Sequence, residues 1–420
     1  MNLELRKQFH LKICSNSQKL MEWYRVKAGS LEYPIYSSYD IRDSGWKITT
    51  VDANIYPAGF NNICPTDQET SVELFKIYFE QHYSPIPQKI LLITEEHTNN
   101  SYYWENVATI VQLIEKSGRQ VRIALPKLMD EPIAVTSSGG KTLTVYSGFP
   151  ECPHFKDFQP DLIINNNDFS DPKHEWAKNL LTPANPPREM GWYQRQKSTF
   201  FEKYNQLTEE FCKLVDIDPF FIQVKTEIFA PFDITDDLIL EKAGQKIDAM
   251  IEQLKIDYQK RNIDTVPFVF VKNNAGTYGL GVIKVNSGEE FIHLNYKTRK
   301  KMKAAKGGRS IQEVIIQEGI PSITRADQST AEPVLYMIGC KLAGGFLRTH
   351  SEKSETESLN SPGAVYKRLC VSDLAVDETT CPLENVYGWI AKLALLAIGL
   401  ESQQMQVKYQ NFNKKVCTLR

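Results

Sequence analysis

Residues Pro267–Lys284 read PFVFVKNNAGTYGLGVIK. Five apolar or β-prone residues, Pro267–Val271, run into Lys272. A loop with Gly276, Gly279 and Gly281 follows, and then β-branched Val282 and Ile283. The pattern predicts two strands flanking a glycine-rich loop. Glycine tolerates positive φ and exposes bare backbone, so main-chain N–H groups there can close on a phosphate. Lys272, at the strand end, adds a point charge. A Walker loop has its lysine after the glycines and runs into a helix. A dinucleotide fingerprint is G-x-G-x-x-G opening a helix. Here the lysine comes first, the order is G-x-x-G-x-G, and a strand follows. A plain hairpin with a flexible tip is the other reading of the same residues.

The 420 residues are enough for two or three domains. A hydrophobic content of 42% with 24% charged residues is ordinary for a soluble globular enzyme. The net charge of −2 gives no bulk basicity for nucleic acid or an anionic membrane. No apolar run approaches the roughly 18 residues of a spanning helix. The N-terminus lacks the apolar core of a secretory signal. The eight cysteines are scattered singly, without a C-x-x-C pair, which argues against zinc and against a disulfide scaffold. A cytoplasmic chain with free thiols is the expectation.

Outward from the loop, residues 1–28 read as a helix and Tyr33–Asp43 (YPIYSSYDIRD) as a turn-rich aromatic segment. Trp46–Val51 reads as a strand running into DANIYPAGFNN. Asp52 and Asn54 alternate with Ala53, so both face one side of a strand end. A carboxylate and an amide oxygen there suit Mg²⁺; an Asx-rich turn closing the strand is the competing reading. Strands at Lys89–Thr94 and Gln120–Leu125 bracket a helix at Glu105–Lys116, which predicts a parallel αβ unit. Ligands in such sheets sit at the carboxyl ends of the strands, where Glu95–Trp104 and Asn165–Asp168 lie. The prolines of Thr182–Arg188 read as a domain boundary, with residues 1–185 before it and 186–420 after it. Long helices are expected at Trp192–Val215 and Asp236–Arg261. A solvated basic segment is expected at Asn295–Arg309, and a strand at Val314–Ile320. Glu332–Ile338 and Lys341–Arg348 form a predicted hairpin turning at Gly339-Cys340. Arg348 is either a surface charge or, because an Asn/Ser/Gly loop follows at Ser358–Tyr366, part of an anion site. Asn385–Leu400 reads as a core helix.

Taken together, FVFVKNNAGTYGLGV, IIQEGIPS, CKLAGGFLRTH and LNSPGAVY resemble, in order, the motifs of ATP-grasp peptide ligases over about residues 190–400. Most such chains carry metal ligands near the C-terminus, and GLESQQMQVKYQNFNKK has no such pattern. VDANIYPAGFNN looks like the missing piece on the N-terminal side, a permuted order similar to that of eukaryotic-type glutathione synthetases, with D-x-N in place of E-x-N. With KNNAGTYGLGV and LNSPGAVYKRL, the whole chain resembles the proteobacterial glutamate–cysteine ligases built on this scaffold.

The resemblance implies an α/β ATP-grasp fold with a preceding parallel αβ substrate domain, ATP and Mg²⁺ as cofactors, and γ-glutamylcysteine as product. It implies that Lys272, Asn274, Gly276, Thr277, Tyr278, Gly279 and Gly281 hold phosphates, and that Gln317 and Glu318 lie by adenine. Either Lys197 or Lys225 is the second nucleotide lysine. Asp52 and Asn54 bind metal, and Arg348 stabilises an acyl phosphate over which Asn360, Ser361, Gly363 and Ala364 close. Arg42, Glu96, Asn100, Asn167 and Asp168 are candidates for the amino acids glutamate and cysteine. One departure is that residues 273–281 contain no acid, so Asn274 or a residue elsewhere completes the metal shell. A homo-oligomer is compatible with the scaffold. Two rivals remain open: a glutathione synthetase acting on γ-glutamylcysteine and glycine, and a non-catalytic nucleotide-binding protein.

Overall fold

The strand expected before the glycine-rich loop forms as Val269–Asn273 and pairs antiparallel with Val282–Val285. On its other side it pairs with Val314–Glu318, which in turn pairs with Thr226–Phe229. This computed structural model describes residues 2–96, 99–170, 174–276, 281–303, 310–369 and 386–415. Thr277, Tyr278 and Gly279 lie outside the described residues. The four-stranded sheet is backed by the helix Asp237–Gln259, whose N-cap Asp236 accepts from the N–H groups of Leu238 and Ile239. Leu240, Ile247, Ile251 and Leu254 recur at helical spacing and are buried against the sheet. Each contributes about 1.5–3 kcal/mol over an exposed position.

A second sheet has the order Val365–Leu369, Lys341–His350, Ser329–Ile338, Tyr36–Asp43, Ile48–Asn54, all antiparallel. It joins strands from the beginning and the end of the chain. Tyr36–Asp43 is a near-central strand, not the turn-rich segment its serines and aspartates suggest. Seven of its eight residues are buried, and its charged side chains are met by Glu332 from the neighbouring strand and Arg348 from the strand beyond it. Between Asp40 and Ile41 the register slips: Asp40 faces Asp52 and Ile41 faces Thr50, leaving Val51 bulged. The helix Val386–Gln404 covers this sheet and is buried along nearly its whole length, as its apolar run predicts.

The third sheet contains the expected β-α-β unit. Lys89–Ile93 and Gln120–Leu125 are parallel neighbours, joined through the helix Ser101–Lys116. Leu162–Asn165 and Ala184–Asn185 continue the parallel sheet on one side, and Thr142–Ser147 does so on the other. The connecting helix starts four residues before the sequence suggests, because Asn100 caps it by accepting from Tyr103 N. The single helix expected over 1–28 is two, Asn2–Ser15 and Ser17–Ser30, broken at Asn16. Cys64, Cys152 and Cys212 are free and buried. Cys14 and Cys340, against expectation, are each in a disulfide; spacing along the chain does not report thiols that folding brings near one another. No helix among the described residues is long and apolar enough to cross a membrane.

Candidate active site

The bulge at Val51 is where two of the sheets meet. Its carbonyl oxygen accepts from Lys272 Nζ at 3.0 Å. Lys272 also donates to Gln317 Oε1 at 2.6 Å, so the lysine and glutamine share one face of the small sheet. Gln317 is fixed in turn by donating to Thr226 Oγ1. Burial pulls the Lys272 ammonium down to about 8 against the opposing pull of Asp52. Asp52 is ion-paired with Lys197. Burial would raise its carboxyl, but Lys197 and Lys272 outweigh that and hold it below the usual carboxylate range. Lys197 Nζ lies 4.8 Å from the centroid of the Trp192 ring.

A second charge cluster adjoins the first. Arg348 Nη1 donates to Asp40 Oδ2 at 2.6 Å and to Glu332 Oε1 at 2.7 Å. Arg42 Nε pairs with the other Glu332 oxygen at 2.6 Å. All three of Arg42, Glu332 and Arg348 are buried. Burial would lower the Arg348 pKa, yet Asp40 and Glu332 push it higher still, so it stays charged. Burial raises the Asp40 carboxyl, with Arg348 opposing. Arg348 Nε has no partner. Arg42 also donates to the backbone of Glu355 and Glu357, tying the acidic loop to the sheet.

These residues line a cleft and an adjoining cavity of about 730 Å³, within the usual size of a ligand site. Asp40, Asp52, Gly276 and Asn360 border both. Lys197, Lys272, Arg42 and Asn273 line the cleft, together with apolar Phe270, Val282 and Ile320. Asn54, Asn100, Asp168, Arg348 and Ala364 line the larger cavity.

Other predicted residues take backbone partners. Asn54 Oδ1 accepts from Tyr56 N at 2.9 Å, the Asx turn that was the competing reading. Asn274 Oδ1 accepts from Ser198 N, and its amide nitrogen donates to Ser198 Oγ and to the Glu313 carboxylate. It joins the glycine-rich loop to the helix Lys197–Val215. Asn167 accepts from Phe169 N and donates to the Thr94 carbonyl. Glu96 is exposed. Ser361 Oγ is buried without a partner, and Gly363 has φ +95° with the His350 ring close by. Gly281 has φ +67°, a conformation that favours glycine.

Glu318 turns its carboxylate to the opposite face of the sheet from Lys272. Both oxygens accept from Lys47 Nζ at 2.7 Å, and Tyr258 donates to one at 3.0 Å. Lys225 lines that other side with it. Lys197 is therefore the lysine that stands with Lys272 on the main cleft.

Sequence reasoning missed Asp40, Glu332 and Trp192. The signal for Asp40 was present: it stands two residues before Arg42, on the same strand face. It missed also the support under Asp52. Arg195 Nε donates to both oxygens of buried Glu401, while its Nη1 donates to the Ala53 carbonyl between Asp52 and Asn54.

Among the described residues no group of three or more His, Cys, Asp or Glu side chains is arranged to hold a metal. Mg²⁺ is commonly held by one or two carboxylates together with substrate phosphates. Asp52, partly exposed at the junction of cleft and cavity, fits that requirement.

The sequence matches the family described as GshA, glutamate-cysteine ligase, over residues 11–402. No curated protein matches it. Among solved structures, a provisionally assigned gamma-glutamylcysteine synthetase from Methylobacillus flagellatus KT is 30% identical. The alignment covers 96% of each chain at a TM-score of 0.84. D-alanyl-alanine synthetase A from Vibrio cholerae O1 biovar eltor aligns at 13% identity and a TM-score of 0.31, over 77% of this chain and 82% of its own. The last value is too low to bear on the fold. The match over 11–402 and the 30% identity across nearly all of both chains place this chain in the glutamate–cysteine ligase family.

Proposed function

We propose that the protein joins the γ-carboxylate of L-glutamate to the amine of L-cysteine, with ATP converted to ADP and phosphate. The observation that carries this reading, beside family membership, is the Lys197–Asp52–Lys272 set beside Arg348, where the small and large sheets meet. Transfer of a phosphoryl group to a carboxylate brings several negative oxygens together, and catalysis consists mostly of positioning and charge neutralisation. Lys272 and Lys197 supply fixed cations on the nucleotide side. Arg348, held from behind by Asp40 and Glu332, supplies one on the carboxylate side. The amine then attacks the acyl phosphate: a C–N bond forms, the C–O bond to phosphate breaks, and the amine loses its proton. Mg²⁺, when bound at Asp52, adds positive charge beside the phosphates.

In the same reading the fold is a permuted ATP-grasp ligase, with an N-terminal substrate and metal-ligand region over 1–185 and a nucleotide region over 186–420. Phe270, Val282 and Ile320 offer the apolar wall an adenine ring needs. The sharing of one sheet between residues 36–54 and 329–369 supports the permutation, because it brings Asp52 from the start of the chain to the cleft. A homo-oligomer stays compatible with this arrangement, and a cytoplasmic setting suits the reaction.

A coupled ADP-release assay tests the reading. Release should require glutamate and cysteine together, and mass spectrometry should find γ-glutamylcysteine. Turnover of γ-glutamylcysteine with glycine alone would assign a glutathione synthetase instead.

A further inference from the structure

Trp192 is 4% exposed, yet it belongs to none of the apolar clusters that the described residues form. A buried aromatic ring ordinarily packs in such a core. Here two cations stand against the ring instead. Lys197 Nζ lies 4.8 Å from its centroid, and the guanidinium carbon of Arg195 lies 4.7 Å from it. The indole Nε1 is buried and has no hydrogen-bond partner, so contacts with the ring, rather than a hydrogen bond from its nitrogen, set its orientation. The backbone beneath is fixed, because Trp192 N donates to the Asp168 carbonyl at 3.0 Å. Trp192 borders the larger cavity, and on another side it faces Asn273, Asn274 and Gly276 of the glycine-rich loop across a smaller one.

The two cations are held differently. Arg195 donates to both oxygens of Glu401 and to the Ala53 carbonyl, all within 3.2 Å, so it is fixed without the ring. Lys197 has its backbone anchored, since its N–H donates to the Asn274 carbonyl at 2.8 Å. Its ammonium, at the end of a flexible stem, meets the Asp52 carboxylate and the Trp192 ring. Asp52 is shared, because Lys272 and Arg195 act on it as well. In the ligase reading the phosphates draw Lys197 away from Asp52. Repulsion from Arg195, Lys272 and a bound metal then opposes the attraction of the phosphates, so the place of the ammonium depends on what else holds it. Among aromatic side chains, the face of an indole attracts a cation most strongly.

We propose that Trp192 is a positioning residue for Lys197: its indole ring seats the ammonium at the cleft once nucleotide has separated it from Asp52. The assignment rests on the ligase reading for the nucleotide. It gives Lys197 two resting partners on one side of the cleft, a carboxylate before nucleotide arrives and a ring that stays beside it afterwards.

A non-hydrolysable ATP analogue is titrated with Mg²⁺ by calorimetry into the full chain and into Trp192→Leu, Trp192→Phe, Lys197→Ala and the two double variants. Trp192→Leu should weaken binding of the analogue by about 5- to 30-fold, the scale of a desolvated cation–π contact. Trp192→Phe keeps a ring and should lose only about 2- to 3-fold. In the Lys197→Ala background, either change at Trp192 should alter affinity by less than about 1.5-fold, because the partner of the ring is already gone. Any loosening of Arg195 occurs in both backgrounds and cancels in the cycle. A loss that persists undiminished without Lys197 would show a merely structural tryptophan and overturn the proposal. So would unchanged affinity in Trp192→Leu. Should the leucine variant not fold, the Trp192→Phe cycle decides by the same criterion. The readout is binding, so it is independent of turnover. Failure of the wild type to bind the analogue would sink the ligase reading and this proposal with it, whereas a failed cycle in a protein that binds the analogue sinks the proposal alone.

Discussion

Asp40 and Asp52 face each other across the first two strands of the large sheet, and each is neutralised by a cation from a different part of the chain. Asp40 takes Arg348 and Asp52 takes Lys197. Directly opposed carboxylates on one sheet face repel unless each has its own counter-charge. In the proposed reading a metal at Asp52 competes with Lys197 for the carboxylate, and a phosphate competes with Asp52 for the lysine, so that nucleotide binding and the position of Lys197 are coupled.

The first prediction concerns Asp52→Asn. It removes the carboxylate proposed to meet Mg²⁺ while keeping the side chain's shape. The Mg²⁺ concentration needed for half-maximal activity should rise at least about tenfold. The melting temperature should move by only a few degrees, because the side chain is partly exposed. Magnesium titrations of activity beside thermal melts decide it. An unchanged Mg²⁺ curve in a folded variant removes Asp52 from the metal site.

Lys272 gives a pH prediction. It must be protonated to hold phosphate, and its folded value is about 8 against an ordinary 10.5. kcat/KM for ATP should therefore fall as pH rises through about 8. The stability sign is opposite. Between about 8 and 10.5 the unfolded chain binds more protons than the folded one, so stability rises with pH across that window. This contribution is lost as pH falls through about 8. Lys272→Arg should remove the kinetic limb near pH 8, and a limb that survives belongs to another group. Lys272→Ala should raise KM for ATP and lower kcat together.

Arg348→Lys keeps a charge but loses the planar guanidinium, whose Nη1 donates to both Asp40 and Glu332 while Nη2 adds a second bond to Asp40. Loss of one donor to a developing charge costs about 100-fold or more in kcat, and that loss is expected here, with KM for ATP changed far less. Steady-state kinetics at saturating glutamate and cysteine check this. A few-fold change in kcat would leave Arg348 as a strut between two acids and nothing more.

Arg195 and Glu401 are both buried, and their pair supports the Ala53 carbonyl. Removing one partner of such a pair leaves an uncompensated charge and costs about 3–5 kcal/mol. Glu401→Ala should lose stability on this scale in chemical denaturation. Any protein that stays folded should need more Mg²⁺, through displacement of the strand that carries Asp52. A loss under about 1 kcal/mol would mean that solvent reaches the pair.

The two strands flanking the glycine-rich loop, the hairpin turning at Gly339 and the β-α-β unit were legible because each is local: periodicity and turn residues state them within twenty or so positions. The strand Tyr36–Asp43 was not. Its Ser37, Ser38, Asp40 and Arg42 look solvated until Glu332 and Arg348 are known to stand beside them, and only the tertiary fold says so. The amides show a similar limit. Asn54, Asn167 and Asn274 occupy the neighbourhoods the motifs indicate, yet each side chain bonds backbone N–H groups. An asparagine code letter does not say whether its oxygen faces main chain or ligand.

The large sheet has a consequence for how the protein is made. Asp40 and Arg348 are 308 residues apart. A nascent chain that has emerged as far as the glycine-rich loop already carries Asp52 and Lys272, but the strand Tyr36–Asp43 still lacks Ser329–Ile338 as its neighbour. That strand presents an open edge until most of the polypeptide has left the ribosome, and open edges invite wrong pairing. Closing so long a loop slows folding more than it weakens the finished molecule. Truncations anywhere before residue 329 should therefore yield aggregation-prone fragments rather than a smaller working enzyme.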